Sequence, residues 1–192
     1  HLRTIWSGRR AEVELLKEFP GPVLSRYLPD RADVFVDDVL VPYADAYIQI
    51  RDHNYAASEG AEKVNAWFKR LEQLDNSDWR PPALWAVHKH GDDPHWLDQF
   101  FRALERLAAS MLVRRIYATS RARRYADLLR ELTAGKGLDA RPFELSDAEK
   151  AETLRLLDAE LYLSTKVRKY VLLRLDEVLA DTSGVVYDHP PI

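Results

Sequence analysis

The chain has 192 residues, of which 46% are hydrophobic and none is cysteine. This size suits one compact domain, and the lack of cysteine excludes disulfides, thiolate chemistry and cysteine-ligated zinc. No apolar run approaches the roughly 20 residues needed to cross a bilayer, so we expect a cytoplasmic protein with no membrane partner.

The net charge of −3 hides two segments of opposite charge. Residues Asp30–Gly60 carry a local charge of −5, and residues Trp96–Arg124 carry +5. A basic segment of this kind either binds a polyanion or pairs with the acidic segment of the same fold.

The first third of the chain predicts helices separated by prolines. Residues Arg9–Phe19 have helical periodicity, and Pro20–Pro22 ends that helix. Val34–Val36 begins either a strand or a helix, which we expect Pro42 to interrupt. Ala44–Ile50 predicts a further helix.

The middle of the chain predicts the longest helix. Val64–Leu74 follows the spacing of an amphipathic helix, and a polar turn ends it. Pro81 and Pro82 fit the first turn of the next helix. After a polar break at His88–Pro94, a consistent apolar stripe predicts a helix over Trp96–Tyr117.

Capping signals mark the helices that follow. Arg121–Leu132 predicts a helix, and Gly135 is well placed to cap its end. Ser146 and Glu149 fit a capping box, which predicts a helix over Asp147–Leu157.

The last predicted helix, Val167–Leu179, is apolar on two sides, so we expect it to be the central helix of its bundle. A short β-hairpin is predicted to start at Val185. With only seven glycines in the chain, these patterns predict an all-α fold, an irregular helical bundle.

Two basic clusters are the candidate phosphate-binding residues. Arginine forks onto phosphate oxygens, and such contacts add salt-dependent affinity without reading sequence. The alternative for both clusters is a solvated or internally paired helix face. The candidates are Arg114, Arg115, Arg121, Arg123 and Arg124 in one cluster and Lys166, Arg168 and Lys169 in the other.

Two stretches of the sequence resemble a family of bacterial defence proteins. They are Leu74–Pro82, which reads LDNSDWRPP, and the helix and tail from Lys166 to Ile192. The family fuses a ParB-like NTPase domain to an HNH endonuclease and acts in restriction and antiphage defence. In that family a comparable tail leads into a Glu-His-x-x-Pro element, which Asp188-His189-Pro190 does not match, so no catalytic residue is assigned.

The resemblance implies a division of the chain and a set of partners. Residues 1–140 would be the helical region between the NTPase and the nuclease, and residues 141–192 the first helices of the nuclease domain, packed together as one compact unit. The partners implied are DNA, the NTPase domain of the same protein and, as an option, further copies of the chain. A divalent metal and a nucleoside triphosphate are implied for the parent protein, and no cofactor for this chain.

The resemblance therefore predicts a DNA-positioning part of a nucleotide-regulated endonuclease, without the residues that cut. The competing hypothesis is a helical scaffold or dimerisation module that touches no nucleic acid. Ion pairs between the arginines at 121, 123 and 124 and the aspartates at 33, 37 and 38 would favour the scaffold hypothesis. An open surface that those arginines line together with Arg168 and Lys169 would favour the DNA hypothesis.

Two other groups of residues have ordinary interpretations. The His88–His95 segment gathers three histidines and two aspartates, but a loop joining two helices explains it better than a metal site. The five tryptophans could stack nucleic-acid bases, but their spacing favours core packing.

Overall fold

The computed structural model of the chain describes residues 1–7, 17, 19–21, 23–159 and 163–183, with side chains described as far as residue 180. The described residues form helices and no strand, which confirms the all-α prediction. The α-helices are α1 Leu2–Ser7, α2 Ala32–Phe35, α3 Val41–Asp52, α4 Ala61–Glu72, α5 Arg80–His90, α6 Pro94–Val113, α7 Ala118–Thr133, α8 Asp147–Leu157 and α9 Thr165–Ser183.

The prediction that Pro42 interrupts the strand or helix that begins at Val34–Val36 is wrong. Helix α2, a π-helical turn at Val36–Leu40 and helix α3 run on without a break. Proline has no N–H and clashes with the carbonyl four residues before it in a regular α-helix. Here the N–H of Val41 bonds to the carbonyl of Val36 across the wider π turn, so the helical path continues past the proline.

Helices α4 and α5 follow the sequence pattern closely. Val64, Trp67, Phe68 and Leu71 form the buried face of α4. Pro81 and Pro82 lie in the first turn of α5, as predicted. The polar break is shorter than expected, because α5 continues through His88, Lys89 and His90 and ends only before Gly91.

Helix α6 is the centre of the bundle. Five of its large apolar side chains are completely buried: Leu97, Phe100, Phe101, Leu104 and Leu107. The side chain of Asp93 accepts a hydrogen bond from the N–H of Trp96 at 2.9 Å, which starts the helix two residues earlier than predicted. The predicted end at Tyr117 is four residues too late, since α6 ends at Val113.

Both predicted caps are confirmed. The N–H of Gly135 bonds to the carbonyl of Leu132, and the N–H of Lys136 bonds to the carbonyl of Glu131, each at 3.0 Å. This is a Schellman ending with Gly135 in the left-handed region at φ 82°. At the start of α8, Ser146 and Glu149 form the reciprocal capping box.

The prediction that the last helix is central is wrong. Among the described side chains of α9, only Val167 and Tyr170 are buried. Leu172, Leu175 and Leu179 are each more than half exposed. Apolar residues on two sides of a helix indicate burial only if both sides meet other elements, and α9 meets the bundle on one side.

Residues on both sides of position 140 share one core. The ring of Phe143 packs edge-on against the ring of Phe100, with centroids 5.4 Å apart. The division at residue 140 stays a prediction. The predicted helix Arg9–Phe19 lies almost wholly outside the described residues, and the predicted hairpin start at Val185 lies outside them.

Candidate nucleic-acid interface

The two basic clusters, which lie far apart in the sequence, meet in the structure. A cavity of about 340 Å³ is lined by Arg115 and Arg121 from the first cluster and by Lys166 from the second. A neighbouring cavity of about 490 Å³ is lined by Arg114, Arg115 and Val167. The start of α9 therefore lies beside the corner between α6 and α7.

The backbone of this corner is strained at Arg115. Its φ is 53°, in the left-handed region that favours glycine. The N–H of Arg115 bonds to the carbonyl of Leu112 and that of Ile116 to the carbonyl of Met111, each at 3.0 Å. Helix α6 thus ends in a Schellman motif with arginine in the usual glycine position, which costs about 1–2 kcal/mol.

Arg114 and Arg124 share the carboxylate of Glu149. The distances to its Oε1 atom are 3.1 Å and 3.4 Å. Arg124 also donates to the carbonyls of Pro142 and Glu144, at 2.8 Å and 2.5 Å. These two arginines connect α6 and α7 to the start of α8.

The pKa of Glu149 is lowered. Its partial burial acts in the opposite direction, but a hydrogen bond from the backbone of Ser146 and the charges of Arg124 and Arg114 outweigh that effect. The carboxylate is therefore charged at neutral pH and holds both guanidinium groups.

Arg121 and Lys166 are paired with the turn that follows α4. Arg121 lies 2.9 Å from Asp78, donates to the carbonyl of Ile116 at 2.6 Å and is largely buried. Lys166 lies 3.0 Å from Asp75, but its side chain is 69% exposed. Burial raises the pKa of Asp75, yet hydrogen bonds from Lys166 and Asn76 leave it lowered overall. An ion pair as exposed as that of Lys166 is weak and can exchange partners.

The remaining candidate cations face the solvent. Arg115, Arg123, Arg168 and Lys169 are exposed. Within the described part of the chain, Arg115, Arg123 and Lys169 make no ion pair. They are the candidates best placed to meet an external anion.

The arginine pairing differs from both predicted outcomes. Arg121 and Arg124 pair with Asp78 and Glu149, not with the aspartates at 33, 37 and 38. Of the arginines at 121, 123 and 124, Arg121 lines the 340 Å³ cavity, and the lysine of the second cluster that it meets there is Lys166.

Sequence reasoning missed three residues that shape this region. Asp78 and Glu149 neutralise candidate arginines, and only the capping box drew attention to Glu149. Tyr117 is 84% exposed, between the two helices of the basic corner, and no periodicity indicated its exposure. An aromatic ring next to cations can contact a sugar or a base.

The histidine-rich segment packs against aromatic rings. His90 stacks on Trp96 with centroids 3.7 Å apart, and His88 lies 4.3 Å from the ring of Tyr43. Burial lowers the pKa of both histidines. Among the residues that the structure describes, no group of three or more His, Asp or Glu side chains could hold a metal ion.

The prediction that tryptophans pack in the core is confirmed for two of them. Trp67 is buried and donates to Asp98 at 2.6 Å, and Trp79 is buried and donates to the carbonyl of Asn76 at 3.0 Å. The exposed aromatic residue at the basic corner between α6 and α7 is Tyr117.

None of the described helices is both long and apolar enough to cross a membrane. Comparison with known proteins found no matching family model, no matching curated protein and no matching solved structure.

Proposed function

We propose that this chain is the helical DNA-positioning part of a nucleotide-regulated DNA endonuclease of the HNH type, and that it does not itself cut. The observation that supports the proposal is the meeting of two basic clusters around one cavity, with Arg115, Arg121 and Lys166 in its wall. Separate chain segments that bring cations to one surface suit the phosphate backbone, where successive charges are closely spaced.

The candidate cations divide into supports and contacts. Arg114, Arg121 and Arg124 hold helices together through Asp78 and Glu149. Contacts with phosphate would come from Arg115, Arg123 and Lys169, and from Lys166 when it leaves its exposed pair with Asp75.

The chemistry of these contacts is electrostatic and does not read sequence. Each phosphate that a cation neutralises releases condensed counterions, so binding weakens steeply with salt. About four contacts would give a log–log salt slope of roughly −3 to −4 for duplex DNA. Such contacts fix the orientation of the duplex and leave recognition to other parts of the protein.

The divalent metal and the nucleoside triphosphate would be bound by other domains of the longer protein to which we propose that this chain belongs. A divalent metal would activate water for phosphodiester hydrolysis there. The sequence has no glycine-rich loop that would cradle phosphates, and the role that we propose for this chain is binding and positioning.

A second candidate function is a helical scaffold that touches no nucleic acid. The observation that favours it is the internal pairing of Arg114, Arg121 and Arg124, which is expected of charges that join helices. The two functions differ in what the exposed cations do.

The deciding experiment is a duplex-DNA titration at two salt concentrations, followed by fluorescence anisotropy. The test variant changes exposed contacts that lie outside α9: Arg115→Glu and Arg123→Glu. The control variant makes the same change of charge at exposed lysines that line neither cavity: Lys63→Glu and Lys136→Glu. Substituting Arg121 or Arg124 would be less informative, because it would also remove internal ion pairs.

We expect salt-sensitive binding that the test variant loses and the control largely retains. Circular dichroism of both variants shows whether the helices are intact. If the folded chain binds no duplex even at low salt, the DNA function is wrong and the scaffold remains.

A further inference from the structure

Helix α9 carries an apolar stripe on the side that faces away from the bundle. Its exposed apolar side chains are Leu172 (57%), Leu175 (54%) and Leu179 (66%). The buried residues Val167 and Tyr170 lie on the opposite side, because each residue turns the helix by about 100°. The stripe is therefore a second face and not the margin of the core.

The stripe has the spacing of a helix-pairing seam. Arg168, Leu172, Leu175 and Leu179 follow one another at intervals of four, three and four residues. This alternation keeps side chains in line along one side of a helix and is typical of two helices that pack along their length. All four residues are exposed.

The charges beside the seam favour one partner and one orientation. Lys169 and Asp176 are seven residues apart, so they flank the same side of the seam, with the cation towards the start of α9 and the acid towards its end. Against a parallel second copy, Arg168 would face Arg168 of the partner subunit. Against an antiparallel copy, Lys169 would lie near Asp176 of the partner subunit.

We infer that α9 pairs antiparallel with α9 of a second copy of this chain, with Leu172 packed against Leu175 of the partner subunit. The inference goes beyond DNA positioning and does not depend on it. In the dimer Lys169 pairs across the interface, so Arg115, Arg123 and Lys166 would remain for phosphate.

The extent of the stripe sets the strength of the dimer. The stripe consists of three leucines that are each a little more than half exposed, so the apolar surface that it buries is small. A standard stable interface buries about 800 Å² per partner. The dimer is therefore weak, and its population rises with the concentration of the chain.

The first test measures mass by sedimentation velocity over a range of chain concentrations. We expect the unmodified chain to dimerise as its concentration rises and the double variant Leu172→Asn, Leu175→Asn to stay monomeric. The control is Leu154→Asn on α8, which removes a leucine that is 63% exposed outside the seam and should leave the dimer unchanged. A chain that is monomeric at every concentration, or a dimer that survives the double variant, overturns the inference.

The second test determines the orientation by crosslinking. The chain has no cysteine, so each disulfide must form between introduced residues. The variants Leu172→Cys and Leu175→Cys are oxidised separately and as a mixture. We expect the mixed disulfide to dominate, because position 172 meets position 175 in the antiparallel pair. Efficient crosslinking of Leu172→Cys with itself would overturn that orientation. This result is independent of DNA binding, so either proposal can fail alone.

Discussion

At the scale of single residues, the most consequential group is the carboxylate of Glu105 on the central helix. Glu105 is only 8% exposed, accepts a hydrogen bond from the hydroxyl of Tyr170 and lies 2.9 Å from Arg174. Arg174 also pairs with Glu177, which lies 3.0 Å from Arg70 of α4. Burial and the charge of Glu105 raise the pKa of Tyr170, so its hydroxyl remains a donor. This network joins α9 to the bundle.

Arg174→Met should destabilise the fold by about 3 kcal/mol, because a buried carboxylate loses its cation. Urea unfolding followed by circular dichroism measures the change. The control is the double variant Glu105→Gln, Arg174→Met, which removes the carboxylate charge along with its partner. Its loss of unfolding free energy should be smaller than the sum of the losses in the two single variants. An Arg174→Met variant as stable as the unmodified chain would show that the network contributes nothing.

At the scale of elements, the ends of α6 and α7 have the same hydrogen-bond pattern with different residues. Gly135 ends α7 at φ 82°, and Arg115 ends α6 at φ 53°. The end of α7 has glycine, which lacks a Cβ atom and adopts this conformation freely, whereas the end of α6 has an arginine that is strained there. Strain at an exposed cation beside a cavity is the kind of cost that functional positions carry.

Arg115→Gly should therefore increase the free energy of unfolding by about 0.5–1 kcal/mol, because glycine adopts this conformation without the steric cost. The same variant should bind duplex DNA more weakly. Gly135→Ala is the reciprocal control, and it should lose about 1 kcal/mol, although a Cβ there meets no neighbouring atom within 4 Å. Thermal unfolding measures both changes. If Arg115→Gly is destabilised, the strain assigned to Arg115 is wrong.

At the scale of the whole molecule, burial and ion pairing together predict how stability depends on pH. Burial lowers the pKa values of His53, His88 and His90, so the folded state disfavours their charged forms. Hydrogen bonds and neighbouring cations outweigh burial and lower the pKa values of Asp75 and Glu149. Each of these shifts means that the unfolded chain binds more protons than the folded one.

The free energy of unfolding should therefore fall in two stages as the pH decreases. The first loss begins below the ordinary histidine pKa of 6.5 and ends at the lowered values. The second begins below the ordinary carboxyl values of 3.8 for Asp75 and 4.5 for Glu149. Urea unfolding at a series of pH values measures both stages. His88→Phe should reduce the loss of stability in the first stage, to which His53 and His90 still contribute, and leave the second stage unchanged. An equal first-stage loss in both proteins would contradict this assignment.

The sequence by itself determined most of the local structure. The signals that predicted α4 to α8 were helical periodicity, the prolines in the first turn of α5 and the capping box of α8. They could be read from the sequence because the contacts that create them lie within four residues along the chain. The π turn before Pro42 escaped prediction, since hydrogen bonds across a wider turn leave no periodic signal in the side chains.

Only the tertiary structure decided which helix is central and which cations are available. Arg121 and its partner Asp78 are 43 residues apart, and Arg114 and Glu149 are 35 residues apart. No spacing rule connects such residues, because their distance depends on how the helices pack. For the same reason the apolar residues of α9 could not be divided into a buried side and an exposed seam from their pattern alone. Local hydrogen bonds and periodicity determine a helix, whereas the choice of which face is buried depends on its neighbours.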